Sequence, residues 1–306
     1  VNKRLQSKKQ RKQLEAIYQD IFDVNIPVMD TVRKYFRVIK KYEDITTTMN
    51  VAYSNFQVDK INKIVHDKQQ HPKKGTLVIK GVPFFPHMDV ICSKSLQQKN
   101  IKLFTRYIYR IVKINSKNVL MKEMFEGNTF LLDLDIFKKH FKLPYCRTGF
   151  SVQGKTVREP ITIFELDSPY INRKWAWTAI TRCRSFDDVT VFEMSDGQKD
   201  LLKVMKRRQY FTLKIEGYQR QDKKAGRHID VDNFIDVDWF VSQLSQMKEC
   251  QVCHTPYYGK VEDGKWLSNI TADRIDNSIC HTKQNCRLMC VDCNKKRSDK
   301  NIILLF

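Results

Sequence analysis

Four cysteines and one glycine-containing turn are the residues in this chain whose types and spacing most directly imply chemistry. Cys250-x-x-Cys253 and Cys290-x-x-Cys293, with 36 residues between the pairs, form two knuckles that supply four thiolates. Such a set closes a tetrahedral Zn²⁺ site in which every ligand belongs to the protein, so the metal is structural and its binding energy is folding energy. Cys280 and Cys286 are spare, either buried or able to replace a ligand. Gly149 to Thr156 reads GFSVQGKT and satisfies the GxxxxGK(S/T) pattern of a phosphate-cradling loop. A true loop of that kind follows a strand and opens a helix whose N-terminal amides face the phosphates. Here Pro160 and the β-formers Ile161, Ile163 and Phe164 follow, which predicts a strand where the helix should be.

The second piece of this region is Ala179-Ile180-Thr181-Arg182. With Thr148, Gln153-Gly154 and Thr156 before a strand, it resembles motifs V and VI of superfamily 1 helicases, in particular the RecD-like branch with a UvrD-type C-terminal domain. The resemblance implies that Arg182 is an arginine finger reaching the γ-phosphate of ATP across a cleft between two RecA-like domains. It places Gln153, Gly154 and Thr156 near the nucleotide and Thr148 near the nucleic-acid strand. A permanently cationic, planar guanidinium in a dry cleft stabilises the charge of phosphoryl transfer by a factor of about 10³ to 10⁵ in rate. The chain departs from the family at Phe150-Ser151, where many relatives carry a His, so contacts through that His have no counterpart here. Asn2-Lys3-Arg4 resembles the N-x-R of motif IV, which would put Arg4 on the nucleotide phosphates. The chain starts at Val1, and the resemblance sets that point just after motif III. An N-terminal RecA-like domain with the Walker A lysine, an acidic pair and Mg²⁺ is therefore expected upstream, and without it no ATP hydrolysis is expected.

TADRIDNSICHTKQNCRLMC lies between the knuckles, with Asn294 just after them. This resembles zinc-bearing HNH-type nucleases of ββα architecture. The resemblance implies Asp273 and Asn294 as ligands of one Mg²⁺ on the scissile phosphate and Asn285 as the loop asparagine. The usual general-base position holds Arg274, which cannot accept a proton near neutral pH and is left as a nucleic-acid contact. His281 is the nearby imidazole that serves if the loop folds back.

The elements that must position these groups follow from periodicity. Residues 1–23 and 28–41 predict helices, 50–55 a short strand ending in a turn, and 58–65 a helix. From Thr76 to about Leu132 the chain reads as short strands, and the helicase resemblance implies a small barrel-like insertion there, about 76–140, that helps hold single-stranded DNA. In it Tyr107, Tyr109 and Ile111 alternate with Ile108, Arg110 and Val112, which suits either a nucleic-acid face or a small core. Lys199 to Lys224 reads as a basic, solvated connector. Asp236 then caps a helix with an apolar face. The elements read as an α/β fold, and the resemblances imply a second RecA-like helicase domain over 1–198, a basic connector and amphipathic helix over 199–248, and a treble-clef or ββα zinc module over 249–306.

Composition sets the partner class. A net charge of +21 points to a polyanion, most simply nucleic acid, and the helicase resemblance implies DNA, single-stranded at the helicase domain. No run approaches the ~20 apolar residues of a membrane span. Nine cysteines with two CxxC pairs suit metal binding in a reducing, intracellular compartment rather than a disulfide framework. The combination suggests large DNA viruses or phages by resemblance. Two other readings stand beside the helicase: an HNH-type endonuclease whose basic portion only binds DNA, and a non-catalytic zinc-dependent nucleic-acid-binding protein.

Overall fold

The structure, a computed structural model, describes residues 8–69, 72, 75–98, 101–154, 156–262 and 265–297. Arg4, expected at the nucleotide phosphates, lies outside the described residues. The chain divides into two compact units, Val1–Met194 and Ser195–Phe306.

The first unit opens with α1 (Lys8–Phe22) and α2 (Val28–Tyr35), followed by β1 (Arg37–Ile39), β2 (Met49–Ala52) and α3 (Asn55–Asp67). The inserted segment holds β3 (Leu77–Ile79), β4 (Val82–Phe84), β5 (Asp89–Cys92), β6 (Leu96–Gln98), β7 (Ile101–Leu103), β8 (Ile108–Ile114), β9 (Asn118–Glu123), β10 (Thr129–Asp133), α4 (Leu134–His140) and β11 (Phe141–Lys142). The chain then returns through β12 (Cys146–Thr148), α5 (Gly149–Val152), β13 (Ile161–Ile163), α6 (Arg173–Ile180) and β14 (Val189–Phe192).

β1, β14, β13, β2 and β12 pair in that order, all parallel. Parallel sheets need both faces covered, and central β13, ITI, is buried at every position. Ile17 and Ile21 of α1 join Val32 of α2, Ala176 and Ile180 of α6, and the strand residues Val51, Ile161 and Val191 in one core. On α3, Asn62 clamps β12: its Nδ2 donates to the Cys146 carbonyl at 3.1 Å and its Oδ1 accepts from the Cys146 N–H at 2.9 Å. Ser54 caps α3 and is itself held by Glu165, a buried carboxylate in left-handed backbone (φ 67°) that accepts from Tyr53 N–H, Ser54 N–H and Ser54 Oγ.

The insertion is an antiparallel sheet, β10-β9-β8-β5-β11, with hairpins β3–β4 and β6–β7 beside it. β10 and β11 stand at its edges, so the expected barrel-like closure is not seen among the described residues. Tyr109 and Ile111 are buried with Val119, Met121 and Phe137. Those two positions of the β8 alternation therefore serve the core, while Tyr107 is exposed.

In the second unit, residues expected as a solvated connector form one helix, α7 (Asp196–Lys224). Ser195 and Gln198 start it with a capping box, each side chain accepting from the other's backbone N–H. Its basic residues hid a sparse inner face: Phe211 is buried and stacks on Phe240 with ring centroids 4.5 Å apart. α8 (Val237–Gln246) is capped by Asp236 as its sequence predicts, Oδ1 accepting from Trp239 N–H at 2.7 Å. There follow the hairpin β15 (Gly259–Glu262) and β16 (Lys265–Ser268), the antiparallel pair β17 (Ile270–Arg274) and β18 (Cys286–Cys290), and α9 (Val291–Arg297). No helix among the described residues is long and apolar enough to cross a membrane.

Candidate functional site

Thr148 ends β12 and its Oγ1 accepts from Ser151 N–H, starting the single turn α5. Gly149 is required there: an ideal Cβ would lie 2.6 Å from Nε1 of Trp175, a ring on α6. Gln153 and Gly154 are exposed, and Gly154 has φ +78°, a left-handed turn that glycine takes without strain. No helix follows Thr156. The chain runs through Val157 and Pro160 into β13, so GFSVQGKT lacks the context of a phosphate-cradling loop and the predicted strand stands in the helix's place.

The same turn meets Arg182. Val157 N–H donates to the Arg182 carbonyl at 2.8 Å, and Val157 and Cys183 form a parallel bridge. Arg182 follows α6, whose first turn is capped by Asn172 Oδ1 accepting from Trp175 N–H. Its guanidinium is half-buried and fixed at the helix C-terminus: Nε donates to the Thr178 carbonyl at 2.8 Å and an Nη to Thr181 Oγ1 at 3.1 Å. Thr156 and Arg182, distant in sequence, are thus neighbours on the approach to β13 and β14. Thr148 stands apart from them at the carboxyl end of β12.

In the second unit the Sγ atoms of Cys250, Cys253, Cys290 and Cys293 all lie within 4.8 Å of one another, with Cys253 and Cys290 at 3.6 Å. A Zn–S bond of about 2.3 Å gives a tetrahedral edge of about 3.8 Å, so the donor set fits Zn²⁺. Cys250 and Cys253 belong to a turn closed by His254 N–H on the Cys250 carbonyl. Cys290 ends β18 and Cys293 lies in the first turn of α9. Hydrogen bonding to Thr255 lowers the Cys253 thiol to about 6, while burial pushes the Cys290 and Cys293 thiols up. Cys280 and Cys286 are buried in the apolar core and take no part.

Between the knuckles the structure builds a polar cavity of about 170 Å³, lined by Tyr218, Asp273, Arg274, Asn277, His281 and Asn294 among others. Asn285 does not reach it. Its side chain donates to the Asp276 and Cys280 carbonyls and accepts from Asp276 N–H, stapling the loop. Asp273 is held by Arg287 Nε at 3.0 Å and by Arg297. Asn294 Nδ2 donates to Thr271 Oγ1 and the Ala272 carbonyl.

The residue the sequence did not disclose is Asp222, fully buried near the end of α7. Its Oδ2 accepts from His281 Nδ1 at 2.7 Å and His281 N–H at 2.8 Å; its Oδ1 accepts from Arg274 at 2.5 Å and Arg227 at 3.3 Å. Burial opposes ionisation of Asp222, but the His281 hydrogen bonds and the charges of His281 and Arg274 outweigh it, and its pKa falls below the ordinary carboxylate value. Asp222 and Asp273 thus face four guanidinium groups, Arg227, Arg274, Arg287 and Arg297. A divalent cation finds no uncompensated carboxylate here, so the Mg²⁺ ligand roles expected for Asp273 and Asn294 do not fit this arrangement. The surplus of positive charge suits a phosphate instead.

The class these features define is an α/β domain on a parallel sheet, followed by a small unit with a four-cysteine site that fits zinc. No protein-family model and no curated protein matches the sequence. Solved structures similar to it are a Pif1 helicase from Candida albicans (TM-score 0.39, 13% identity, 60% of this chain and 54% of that one) and a Bacteroides Pif1 bound to ssDNA (0.42, 12%, 68% and 55%). A third is Bacteroides Pif1 in complex with ADP-AlF3 and ssDNA (0.38, 11%, 66% and 55%). The chain spans about half the length of these proteins. The α/β fold is defined by the parallel sheet β1-β14-β13-β2-β12 itself.

Proposed function

We propose that the first unit is the second RecA-like lobe of an ATP-driven DNA helicase or translocase of superfamily 1, and that the second is an appended zinc-bound, HNH-like module. The observation that carries the first part is the meeting of the QGKT turn with Arg182 through the Val157–Arg182 hydrogen bond. Two segments that resemble motifs V and VI only as a pair are a pair in space. In this reading Arg182 reaches a nucleotide gripped by another RecA-like lobe, Gln153, Gly154 and Thr156 border it, and Thr148 touches single-stranded DNA. ATP and Mg²⁺ are held by that other lobe, and the two CxxC pairs support a reducing compartment for the protein. The test is ATP hydrolysis by the protein with its P-loop lobe present. Stimulation by single-stranded DNA is expected, and hydrolysis indifferent to DNA would contradict the reading.

A second reading, endonuclease activity of the zinc-bound module, is favoured by the buried Asp222–His281 pair beside a positively charged cavity. Nicking of supercoiled plasmid that survives Arg182→Ala and disappears in His281→Ala is its expected signature.

A further inference from the structure

Asp222 accepts four hydrogen bonds from side chains and backbone. Both its oxygens are saturated, two donors on each, and all of these come from residues beyond α7: Arg227, Arg274 of β17 and His281 of the loop before β18. An ionised carboxylate only accepts, so Nδ1 of His281 must be the donor. In the neutral ring this leaves Nε2 with its lone pair, and Nε2 has no protein hydrogen-bond partner among the described residues. The imidazole cannot swing away, because it lies flat on Tyr218 with ring centroids 4.5 Å apart and planes 21° off parallel. His281 and Arg274, joined through one carboxylate, both line the cavity.

We propose that Asp222, delivered by α7, is the positioning residue that sets His281 as the general base of a phosphodiester-hydrolysing pocket, with Arg274 supplying positive charge to the phosphate. This rests on the nuclease reading above. The base thus comes from the loop and its orienting partner from a helix outside the ββα segment, and Arg274 at the usual base position has a different task. In the step, Nε2 takes a proton from a water as its oxygen bonds to phosphorus. The bond from phosphorus to one sugar oxygen breaks, that oxygen takes a proton from solvent, and the imidazolium returns its proton to solvent.

The titratable and charged groups facing the ring are Asp222 and Tyr218 of α7, Arg227 just beyond it, and Arg274 of β17. Burial lowers the imidazole pKa, Asp222 opposes this, and Arg274 and Arg227 reinforce it, for a net fall below the ordinary value. The neutral base is therefore present above that lowered value, and the rate should rise with pH to a plateau, with its midpoint below the ordinary imidazole value.

Two measurements on the zinc-loaded chain test the inference: ring ¹⁵N correlation spectra of His281, and plasmid nicking in buffer that holds no divalent cation besides the bound zinc. The wild type is expected to show the Nδ1–H tautomer and to nick. Asp222→Asn that retains zinc should lower kcat by about 10²- to 10⁴-fold and move the pH midpoint to lower pH, and Asp222→Glu should recover part of the rate. An Nε2–H tautomer in the wild type, or full activity in Asp222→Asn, would overturn the role of Asp222 while leaving the nuclease reading intact. A wild type that shows no nicking removes both. Should Asp222→Asn lose its zinc and unfold, the wild-type tautomer decides.

Discussion

The ring of Trp175 occupies the space that a side chain at position 149 would need: an ideal Cβ on Gly149 would come within 2.6 Å of Nε1 and 2.8 Å of the adjoining ring carbon. This contact presses α6, which presents Arg182 at its end, onto the turn that follows β12. Trp175 is only 7% exposed and has little room to retreat. Gly149→Ala is therefore expected to destabilise the first unit by about 1–3 kcal/mol, the usual cost of overpacking a filled core. Denaturant unfolding followed through tryptophan fluorescence measures it, and an unchanged midpoint would show that the two segments can separate freely.

Removing the metal should act on the second unit. Its four thiolates are the close-set group that ties the turn at 250–253 to β18 and α9. One zinc per chain is expected by elemental analysis. Cys290→Ser or a strong chelator should abolish it together with the cooperative unfolding transition of residues 195–306, because zinc binding and folding share one free energy. Full retention of that transition in the metal-free protein would show that the apolar core suffices.

Much of this was legible in the sequence, for identifiable reasons. The cysteine knuckles announce themselves because metal ligation demands fixed short spacings. Pro160 and the β-branched run after it distinguish the 149–156 turn from a phosphate loop, since a helix cannot be built there. Asp236 was readable as a cap because its partner lies three residues on. Asp222 was not readable: its partners, Arg274 and His281, are brought to it only by tertiary folding, and it sits within a run of cations that looks solvated. The sparse apolar positions of α7 were hidden by the same charges. The strand order of the insertion sheet was invisible too, because strand patterns do not state which edges pair.

Lys214 supplies a pH signature. Its Nζ donates to the Ile270 carbonyl, and burial lowers its pKa to about 8. Between that value and the ordinary 10.5 the unfolded chain binds the proton more tightly than the folded one. Stability of the second unit should therefore rise as pH increases through this window, by about 1–3 kcal/mol relative to a variant without the amine. Urea unfolding of the wild type and Lys214→Met at pH 7 and pH 10 measures the difference. Parallel pH dependences in the two proteins would contradict it.

The central claim is that Arg182 acts on a nucleotide. Its Nε and an Nη are both engaged by the end of its own helix, through Thr178 and Thr181, a fixed geometry that lysine cannot reproduce. The most direct measurement is single-stranded-DNA-stimulated ATP hydrolysis by the protein combined with a RecA-like lobe that bears a P-loop, comparing Arg182→Ala and Arg182→Lys with the wild type. Both variants should lose about 10³-fold or more in kcat while DNA affinity is retained. Wild-type turnover in Arg182→Ala would contradict the account.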